Sequence, residues 1–517
     1  MRINTNISAV IANNALQNAQ TRLSKSIERL SSGYKINSSA DDAAGCAISE
    51  KMRMQLRGLE RSKNNSTDGV SVLNTAEGGI AEIQSMLSRM KELTVQATSD
   101  TNSDTDRAAI QEEIDSINDE INRISGDTEF NTQTLLDGGL NRRVYSDCPG
   151  VNQLECSDNI VSGNYGITIT QDARQAVIVG DSNISMSASD RITADQAGSI
   201  MVNGYKININ EGDDLNAVME KIIAGVDKTG GSAFAISENA TNDTLANGTK
   251  YAGYAPSTQY SGNRLVIMTD TYGSNQTISL TCSNQNLANI LGITDAGTEE
   301  GIQAHGSDVK ADFTTGTDGK RTGFDDSAIL STEGTVVTVR DVNNKVFKFD
   351  VPGNTTGTVF SDTAKNDGES TVTNAKSREI VQEVTDIGVM SIHVGANENQ
   401  TIKINIPAVT AYSIGTQNVN VMTNVTASQA IATIDKAIDT VNGIRSKIGA
   451  YQNRFDSTNS NLGSVIENVN SSISAMIDTD MAEEMTEYTS LNVLTQAATS
   501  ILSQANERPS TVLQLLQ

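Results

Sequence analysis

Apolar residues recur in alternating steps of three and four along both ends of the chain. One such run comprises Ile110, Ile114, Ile117, Ile121 and Ile124. This heptad spacing is typical of a coiled-coil helix, and Ser125-Gly126 predicts where the helix ends. The other runs are Leu16, Leu23, Ile27 and Leu30; Ile80, Ile83, Leu87, Met90 and Ala97; Ile434, Ile438, Val441, Ile448 and Phe455; and Leu462, Ile466, Val469, Ile473 and Met476. Both ends of the chain are therefore predicted to be long helices.

Each run is a narrow apolar stripe on one helix face, which a single helix cannot bury. We expect the N- and C-terminal segments to pair with each other or with neighbouring subunits. Segments 1–33 and 480–517 are also amphipathic, and the chain ends in a cluster formed by Val512, Leu513, Leu515 and Leu516. Such segments would associate or stay unfolded if they were exposed, so the pattern predicts an assembly that buries them.

Between 140 and 415 the pattern changes to turn residues that punctuate short alternating runs, which is typical of antiparallel strands. The predicted strands are Ile167-Thr-Ile169, Ala176-Val-Ile178-Val, Met201-Val202, Tyr205-Lys-Ile207-Asn-Ile209, Leu265-Val-Ile267-Met and Val336-Val337-Thr-Val339. Asn343-Asn344 predicts a hairpin turn, because Asn tolerates positive φ. Leu215 to Ile223 predicts a short helix, and 298–330 a loop. The predicted fold is a mainly α coiled-coil rod of paired terminal helices with inserted β-rich outer domains.

Length and charge narrow the classes of protein. A chain of 517 residues exceeds the usual size of one hydrophobic core, so two to four domains are expected. The formal net charge of −25 argues against nucleic acid and anionic membranes as partners. The N-terminus lacks the apolar run of a secretory signal, and no stretch is long and apolar enough to span a membrane. A secreted fate would need a route without a cleaved signal.

Candidate chemistry is sparse. Cys148 and Cys156 are close enough in sequence to bridge under oxidising conditions, and two free thiols are an equal alternative; Cys46 is expected to act as a small buried apolar residue. His305 and His393, expected on a surface loop and strand, form no metal-binding motif. No glycine-rich phosphate loop or Cys pair at metal-ligand spacing occurs. We therefore predict a non-enzyme without cofactor or metal.

Motifs at both ends resemble those of bacterial flagellins. The N-terminal motifs are Ile3-Asn-Thr-Asn-Ile7, Leu30-Ser-Ser-Gly33 with Ile36-Asn37, and Asp41-Asp42-Ala-Ala-Gly45 with Ala47-Ile48-Ser49. The C-terminal motifs are Gly395-Ala-Asn397 with Gln400-Thr401-Ile402, Gly449-Ala-Tyr-Gln452-Asn453-Arg454-Phe455, Ala482-Glu-Glu-Met485 and Gln504-Ala505-Asn506. The resemblance covers 1–140 and 388–517; Cys46 departs from it, because the family usually has an aliphatic residue there. Segment 198–290 is similar to a small β-rich module of flagellar hook and filament proteins.

The resemblance implies a division of the chain into concentric layers of a filament. The implied parts are 1–40, an N-terminal inner-tube helix; 41–140, the N-terminal part of an outer-tube helical domain; 141–387, the variable β-rich surface; 388–479, the C-terminal part of the outer-tube domain; and 480–517, a C-terminal inner-tube helix. The residues expected to carry polymerisation are Ile3, Ile7, Leu16, Leu23, Leu491, Leu494, Ile501, Leu513 and Leu516.

The resemblance also implies a life cycle and a set of partners. The chain would leave the cell unfolded through the flagellar type III export apparatus, with an export chaperone holding 480–517. It would then form a homo-polymer in the extracellular flagellar filament, next to the filament cap and hook-associated proteins. Host Toll-like receptor 5 would contact Arg89, Leu93 and Glu113. The alternative reading of these three residues is ordinary assembly contacts and solvated charges.

Two other functions stay open at this stage. A hook–filament junction protein would share both helical ends but serve only as a short adaptor; the run Gly449–Phe455 and the apolar cluster Val512–Leu516 favour the filament subunit. An adhesin whose middle domain binds mucus or glycans is compatible with a filament, because exposed loops carry most variation in binding.

Overall fold

The structure is a computed structural model. It describes 6–157, 160–236, 260, 262–297, 301–316, 320–341, 345–353, 355–356, 359–360, 372–374, 377–385 and 387–515. The chain divides into two compact units. The first unit comprises 1–70, 392–402 and 453–517, and the second comprises 71–391 and 403–452.

Long helices occupy both ends of the chain, as predicted. The helices are α1 (Ile7–Ser32), α2 (Ala43–Ala97), α3 (Asp104–Asp127), α4 (Leu215–Asp227), α5 (Gln285–Leu291), α6 (Ala411–Ile414), α7 (Asn424–Ile477) and α8 (Met481–Leu515). Helix α3 ends at Asp127, one residue beyond the predicted stop at Ser125-Gly126, and the Ser125 hydroxyl donates to the Leu136 carbonyl at 2.7 Å. The predicted short helix, α4, extends four residues beyond Ile223.

The middle of the chain is β-rich. Its strands are β1 (Glu129–Phe130), β2 (Gln133–Thr134), β3 (Val144–Ser146), β4 (Asn152–Cys156), β5 (Gly163–Gln171), β6 (Gln175–Val179), β7 (Gly198–Val202), β8 (Tyr205–Ile209), β9 (Gly231–Ile236), β10 (Arg264–Tyr272), β11 (Thr277–Cys282), β12 (Ile302–His305), β13 (Lys310–Phe313), β14 (Ile329–Glu333), β15 (Val336–Arg340), β16 (Val346–Asp350), β17 (Val359–Phe360), β18 (Val372–Asn374), β19 (Arg378–Val384), β20 (Met390–His393) and β21 (Thr401–Ile404). All six predicted strands lie within these bounds.

The predicted loop at 298–330 is wrong. Strands β12 and β13 and the start of β14 fall within that range, and β12 pairs with β11 over Thr277–Leu280. These strands lie at sheet edges and bury few large side chains, so their hydrophobic alternation is weak. The predicted turn at Asn343-Asn344 lies outside the described residues, although its flanking strands β15 and β16 pair in antiparallel register.

Two hydrophobic cores organise the β-rich part of the second unit. In one, a sheet ordered β12-β11-β7-β8 and a sheet ordered β6-β10-β9 contribute side chains together with α4 and α5. In the other, a sheet ordered β13-β5-β19-β3 packs with a sheet ordered β14-β15-β16-β4. Each core is continuous, so each is a separately packed β-rich body within the unit.

The cysteines are free thiols. Cys148 and Cys156 are both buried in the second of these cores, so the free-thiol alternative describes the structure; Cys156 lies on β4 rather than in a loop. Burial raises the pKa of the Cys148 thiol, as it does that of Cys282. Cys46 is partly exposed, so the expectation that it is a buried apolar residue is wrong.

The helical part of the second unit contains a closely packed seam. On α2, the five residues of the predicted stripe, Ile80, Ile83, Leu87, Met90 and Ala97, are all 0% exposed. On α3 the stripe differs from the prediction, because Asn118 and Ser125 are buried whereas Ile117 and Ile124 are only half-buried. Asn118 Nδ2 donates to the Thr416 carbonyl at 3.1 Å, whereas its buried Oδ1 has no hydrogen-bond partner among the described residues.

Candidate assembly site

In the first unit the two terminal helices run antiparallel. Asn6 Nδ2 donates to the Ala505 carbonyl at 2.8 Å near one end of the pair. Towards the other end, Arg22 pairs with Glu487 at 2.8 Å. Because the partner numbers fall along α8 as those on α1 rise, the N- and C-terminal segments pair with each other, as the amphipathic pattern predicted.

Local backbone chemistry fixes both ends of α1. Asn6 Oδ1 accepts from the Ala9 amide at 3.2 Å and caps the helix start. Gly33 ends the helix with φ of +78°, a conformation that favours glycine. Immediately beyond it, the Gly33 carbonyl accepts from the Thr479 amide at 2.9 Å, and the Lys35 amide donates to the Ile477 carbonyl at 2.7 Å. These bonds join the end of α1 to the turn between α7 and α8.

The paired helices bury little of their apolar surface. The larger exposed apolar side chains on the two helices are Ile7, Val10, Ile11, Ile27, Met481, Met485, Val493, Leu494 and Ile501. By contrast, Ala12 on α1 and Leu491 and Ala505 on α8 are the buried hydrophobic residues among their described side chains. These two helices therefore leave most of their large apolar side chains that the structure describes open to solvent.

Buried polar atoms between these helices are incompletely paired. Glu484 is 7% exposed, and its Oε2 lies 3.6 Å from Arg29 Nη1. Its Oε1 has no hydrogen-bond partner among the described residues, and the same holds for the buried hydroxyl of Ser26. An unsatisfied buried polar group costs about 1–3 kcal/mol, so these two atoms weaken the pairing of α1 with α8.

The residues predicted for polymerisation fall into several groups. Ile7, Leu494 and Ile501 are 65%, 52% and 57% exposed. Leu16 and Leu23 are half-buried. Leu491 is 2% exposed and packs within the chain. Leu513 lies in α8, and Ile3 and Leu516 lie outside the described residues.

Several other exposed apolar residues of α1 and α8 were not predicted from the sequence. Val10, Ile11, Met481, Met485 and Val493 share the surface with the predicted residues. Val10 and Ile11 lie three and four residues after the predicted Ile7, so helical spacing could have found them, whereas Met481, Met485 and Val493 show no such spacing from the predicted residues of α8.

The residues predicted for receptor contact lie in the second unit. Arg89 donates from Nε and Nη2 to Glu113 Oε1 at 3.0 and 2.9 Å, which joins α2 to α3. This hydrogen-bonded ion pair with Glu113 raises the pKa of the Arg89 guanidinium. Leu93 is only 2% exposed, because it lies on the buried side of α2 while Arg89 is exposed. Two of the three side chains are therefore open to a partner in the free chain.

The described residues offer few candidates for a metal site or a catalytic site. His305 and His393 are exposed at the ends of β12 and β20, so His305 lies on a strand rather than in the predicted loop. Within the described ranges, no group of three His, Cys, Asp or Glu side chains is arranged to hold a metal ion. The described helices also include none with the length and hydropathy needed to cross a bilayer.

Comparison with known proteins matches both helical ends. The bacterial flagellin N-terminal helical region matches residues 3–140, and the bacterial flagellin C-terminal helical region matches residues 431–516. A flagellin from Clostridium tyrobutyricum is 30% identical over 98% of this chain and 100% of its own length. Flagellin B from Vibrio anguillarum is 29% identical over 100% of this chain and 99% of its own.

Solved structures give a looser match. The structure of FliC from Burkholderia pseudomallei is 15% identical, covers 75% of this chain and 99% of that chain, and superposes with a TM-score of 0.22. The identification therefore depends on the sequence matches and on the terminal helices.

Paired helical termini with an uncovered apolar surface, joined to a β-rich middle, define a self-assembling structural subunit. The chain belongs to the flagellin family. It is a structural subunit of the bacterial flagellar filament, and a hook–filament junction protein is less well supported.

Proposed function

We propose that this flagellin polymerises by burying the exposed apolar residues of α1 and α8 against the same helices of neighbouring copies. The observation that carries this proposal is the contrast within that helix pair, where Leu491 is 2% exposed but Leu494, three residues later, is 52% exposed. Removing apolar surface from water contributes about 25 cal/mol per Å². Several such side chains per subunit, repeated along a filament, supply a strong drive for assembly.

Polymerisation would also reinforce the pairing of α1 with α8. Ser26 Oγ and Glu484 Oε1 are buried and lack hydrogen-bond partners among the described residues, so the pair within one chain is incompletely stabilised. Contacts that cover its exposed apolar residues would add stability to the pair in the filament. Ile3, Leu513 and Leu516 are included in the same proposal as polymerisation residues.

The layered division of the chain belongs to the same proposal. Residues 1–40 and 480–517 form the inner tube, 41–140 and 388–479 the outer tube, and 141–387 the variable surface. The described strands lie between Glu129, after α3, and Ile404, before α6, which supports a β-rich segment between two helical ends. The filament stands outside the cell, and its ends contact cap and hook-associated proteins.

Export precedes assembly in this proposal. The chain passes unfolded through the flagellar type III apparatus, and an export chaperone holds 480–517 until then. The exposed Met481, Met485, Val493, Leu494 and Ile501 support the need for such a chaperone, because α8 would otherwise associate before export. The role is structural and not catalytic.

Recognition by Toll-like receptor 5 is a separate proposal on the second unit. The exposed Arg89–Glu113 ion pair supports it, because Arg is enriched where binding energy is concentrated. Leu93 is buried in the free chain, so its contribution is to position α2. Binding of the receptor ectodomain to Arg89→Ala, compared with Arg123→Ala on α3, tests it; equal affinities would contradict the proposal.

Seeded polymerisation tests the main proposal. The full chain should extend filament seeds, as seen by electron microscopy, whereas a chain lacking 1–33 and 480–517 should not. A chain lacking 150–380 is the matched control, and it should still form filaments. Filaments from the chain without termini would refute the role of α1 and α8; failure of the full chain as well would favour the junction protein.

A further inference from the structure

A polar groove crosses the second unit between its β-rich bodies and its helices. Its main part has a volume of about 750 Å³ and is lined from β10, β16, α6, α7 and the turn between β14 and β15. A neighbouring hollow of about 470 Å³ shares Asp270, Gln417 and Asn418 with it, so the two are continuous. Ligand pockets commonly measure about 300–1,000 Å³, so the groove can hold a chain of several small units.

Two glycines that line the groove bring two backbone segments close together. Gly273, at the end of β10, has φ of +123°, and Gly334, in the β14–β15 turn, has φ of +58°. A Cβ atom on Gly273 would lie 2.8 Å from the Gly334 Cα atom. Side chains at these positions would push the two β-rich bodies apart, so the groove depends on this close backbone approach.

Polar contacts fix two walls of the groove. Lys436 on α7 forms an ion pair with Glu333, whose carboxylate also accepts from Asn275 Nδ2 at 3.3 Å. On another side the Tyr412 hydroxyl donates to Asp350 Oδ2 at 2.5 Å and accepts from Asn152 Nδ2 at 3.3 Å. These contacts hold elements of both the sheet and the helices in a defined arrangement before any ligand binds.

The lining offers the groups that recognise a sugar. Gln417, Asn418 and Gln429 present exposed amides, each of which can donate to and accept from hydroxyl groups. Tyr412 is 47% exposed, and an aromatic ring of this kind stacks on the C–H face of a pyranose.

Charge distinguishes between ligand classes. The groove contains the carboxylates of Asp270, Glu333 and Asp350 and the ammonium groups of Lys348 and Lys436, which leaves it weakly negative. An anionic ligand would gain no net attraction, and an apolar ligand would leave many polar groups without partners. A neutral, polyhydroxylated ligand matches both the charge and the hydrogen-bonding groups.

From this geometry we infer that the groove is a binding site for neutral oligosaccharides, with Tyr412 as the stacking residue and the amides of Gln417 and Asn418 as hydroxyl partners. None of the residues that line the groove belongs to α1 or α8.

Saturation-transfer NMR on the unseeded full-length chain tests the inference. The probes are maltotriose and N,N′,N″-triacetylchitotriose, with sialyllactose as the anionic comparison. We expect signal transfer to at least one neutral trisaccharide and weaker transfer to sialyllactose. Tyr412→Ala should weaken binding about tenfold, because truncating a central aromatic contact typically removes that much affinity.

Tyr145→Ala is the matched control, since Tyr145 is 51% exposed on β3 and does not line the groove. It should bind as the unmodified chain does. Gln417→Ala with Asn418→Ala gives a second variant that leaves the Tyr412–Asp350 contact in place. No transfer to either neutral trisaccharide, stronger transfer to sialyllactose, or unchanged affinity in both groove variants would each overturn the inference.

Discussion

Two helical regions of this chain have similar amphipathic sequences and opposite solvent exposure. In the second unit, the apolar stripe of α2 from Ile80 to Ala97 is completely buried within one chain. In the first unit, α1 and α8 leave Ile7, Leu494 and Ile501 more than half exposed. Hydrophobic periodicity therefore identifies a face that must be covered, but it does not say whether the same chain or another copy covers it.

The largest effect is expected in the buried seam. Leu87→Ala should lower the free energy of unfolding of the second unit by about 2–5 kcal/mol, because a fully buried leucine leaves a cavity when it is truncated. Denaturant unfolding followed by far-UV circular dichroism, with hydrogen exchange to locate the change, measures this. Val95→Ala, at a position 50% exposed on the same helix, should change little. Equal losses of unfolding free energy for Leu87→Ala and Val95→Ala would contradict the contrast between buried and exposed positions.

Breaking an ion pair should lower the free energy of unfolding more in the second unit than in the first, and both losses should be smaller than that of Leu87→Ala. In the second unit, Arg445 donates to Glu77 from Nε at 2.8 Å and also binds Gln84, and both charged side chains are partly buried. Arg445→Met should cost about 1–2 kcal/mol after allowance for solvent screening. Arg22→Met, which breaks the more exposed pair with Glu487 in the first unit, should have a near-zero effect in the same unfolding assay. A greater loss for Arg22→Met would contradict this ranking.

Loss of the α3 capping box should lower the free energy of unfolding by a similar or smaller amount than Arg445→Met, and this loss should depend on pH. Ser103→Ala should cost about 1 kcal/mol, and Ser116→Ala on the exposed face of α3 is the control. Hydrogen bonds from Ser103 hold the pKa of Asp106 below its ordinary value. A lowered folded-state pKa stabilises the helix above the unfolded pKa of about 3.9, and that contribution is lost as pH falls through the folded value.

The stability difference between the unmodified chain and Ser103→Ala should therefore shrink as the solution is acidified through that range, leaving the part due to the bond from the Asp106 amide to Ser103 Oγ. A stability difference that persists unchanged at low pH would show that the Asp106 carboxylate contributes nothing to the cap.

The smallest effect is expected on the terminal helices. Leu494→Ala should change the free energy of unfolding of the monomer by less than about 0.5 kcal/mol, because this side chain is already 52% exposed. The comparison with Leu87→Ala is direct, since the same atoms are removed from both helices. A loss comparable with that of Leu87→Ala would mean that Leu494 is packed within the free chain.

Much of this architecture could be predicted from the sequence. The α2 stripe and the six strands were predicted correctly because they have strong periodicity and several large apolar residues. The α3 stripe was only partly correct, since Asn118 is buried through a hydrogen bond to the Thr416 carbonyl, a partner nearly three hundred residues away. No local pattern contains that information.

The assembly surface shows the same limit. The pattern identified α1 and α8 as helices that require a partner, but it could not separate Leu491, which packs within the chain, from Leu494, which does not. That distinction depends on which side of α8 faces α1. The groove was missed entirely, because its lining residues come from α6, α7 and strands β4, β10, β14, β15 and β16, which come together only in the folded chain.

We propose that exposed apolar residues of the terminal helices drive polymerisation without stabilising the monomer. Seeded filament growth of Ile501→Asp beside Ile329→Asp, measured by light scattering and electron microscopy, tests this role. Ile501 is 57% exposed on α8 and Ile329 is 70% exposed on β14, so each substitution adds the same charge at an exposed isoleucine. We expect both monomers to unfold like the unmodified chain and only Ile501→Asp to fail to extend seeds. Normal filament growth by Ile501→Asp would contradict it.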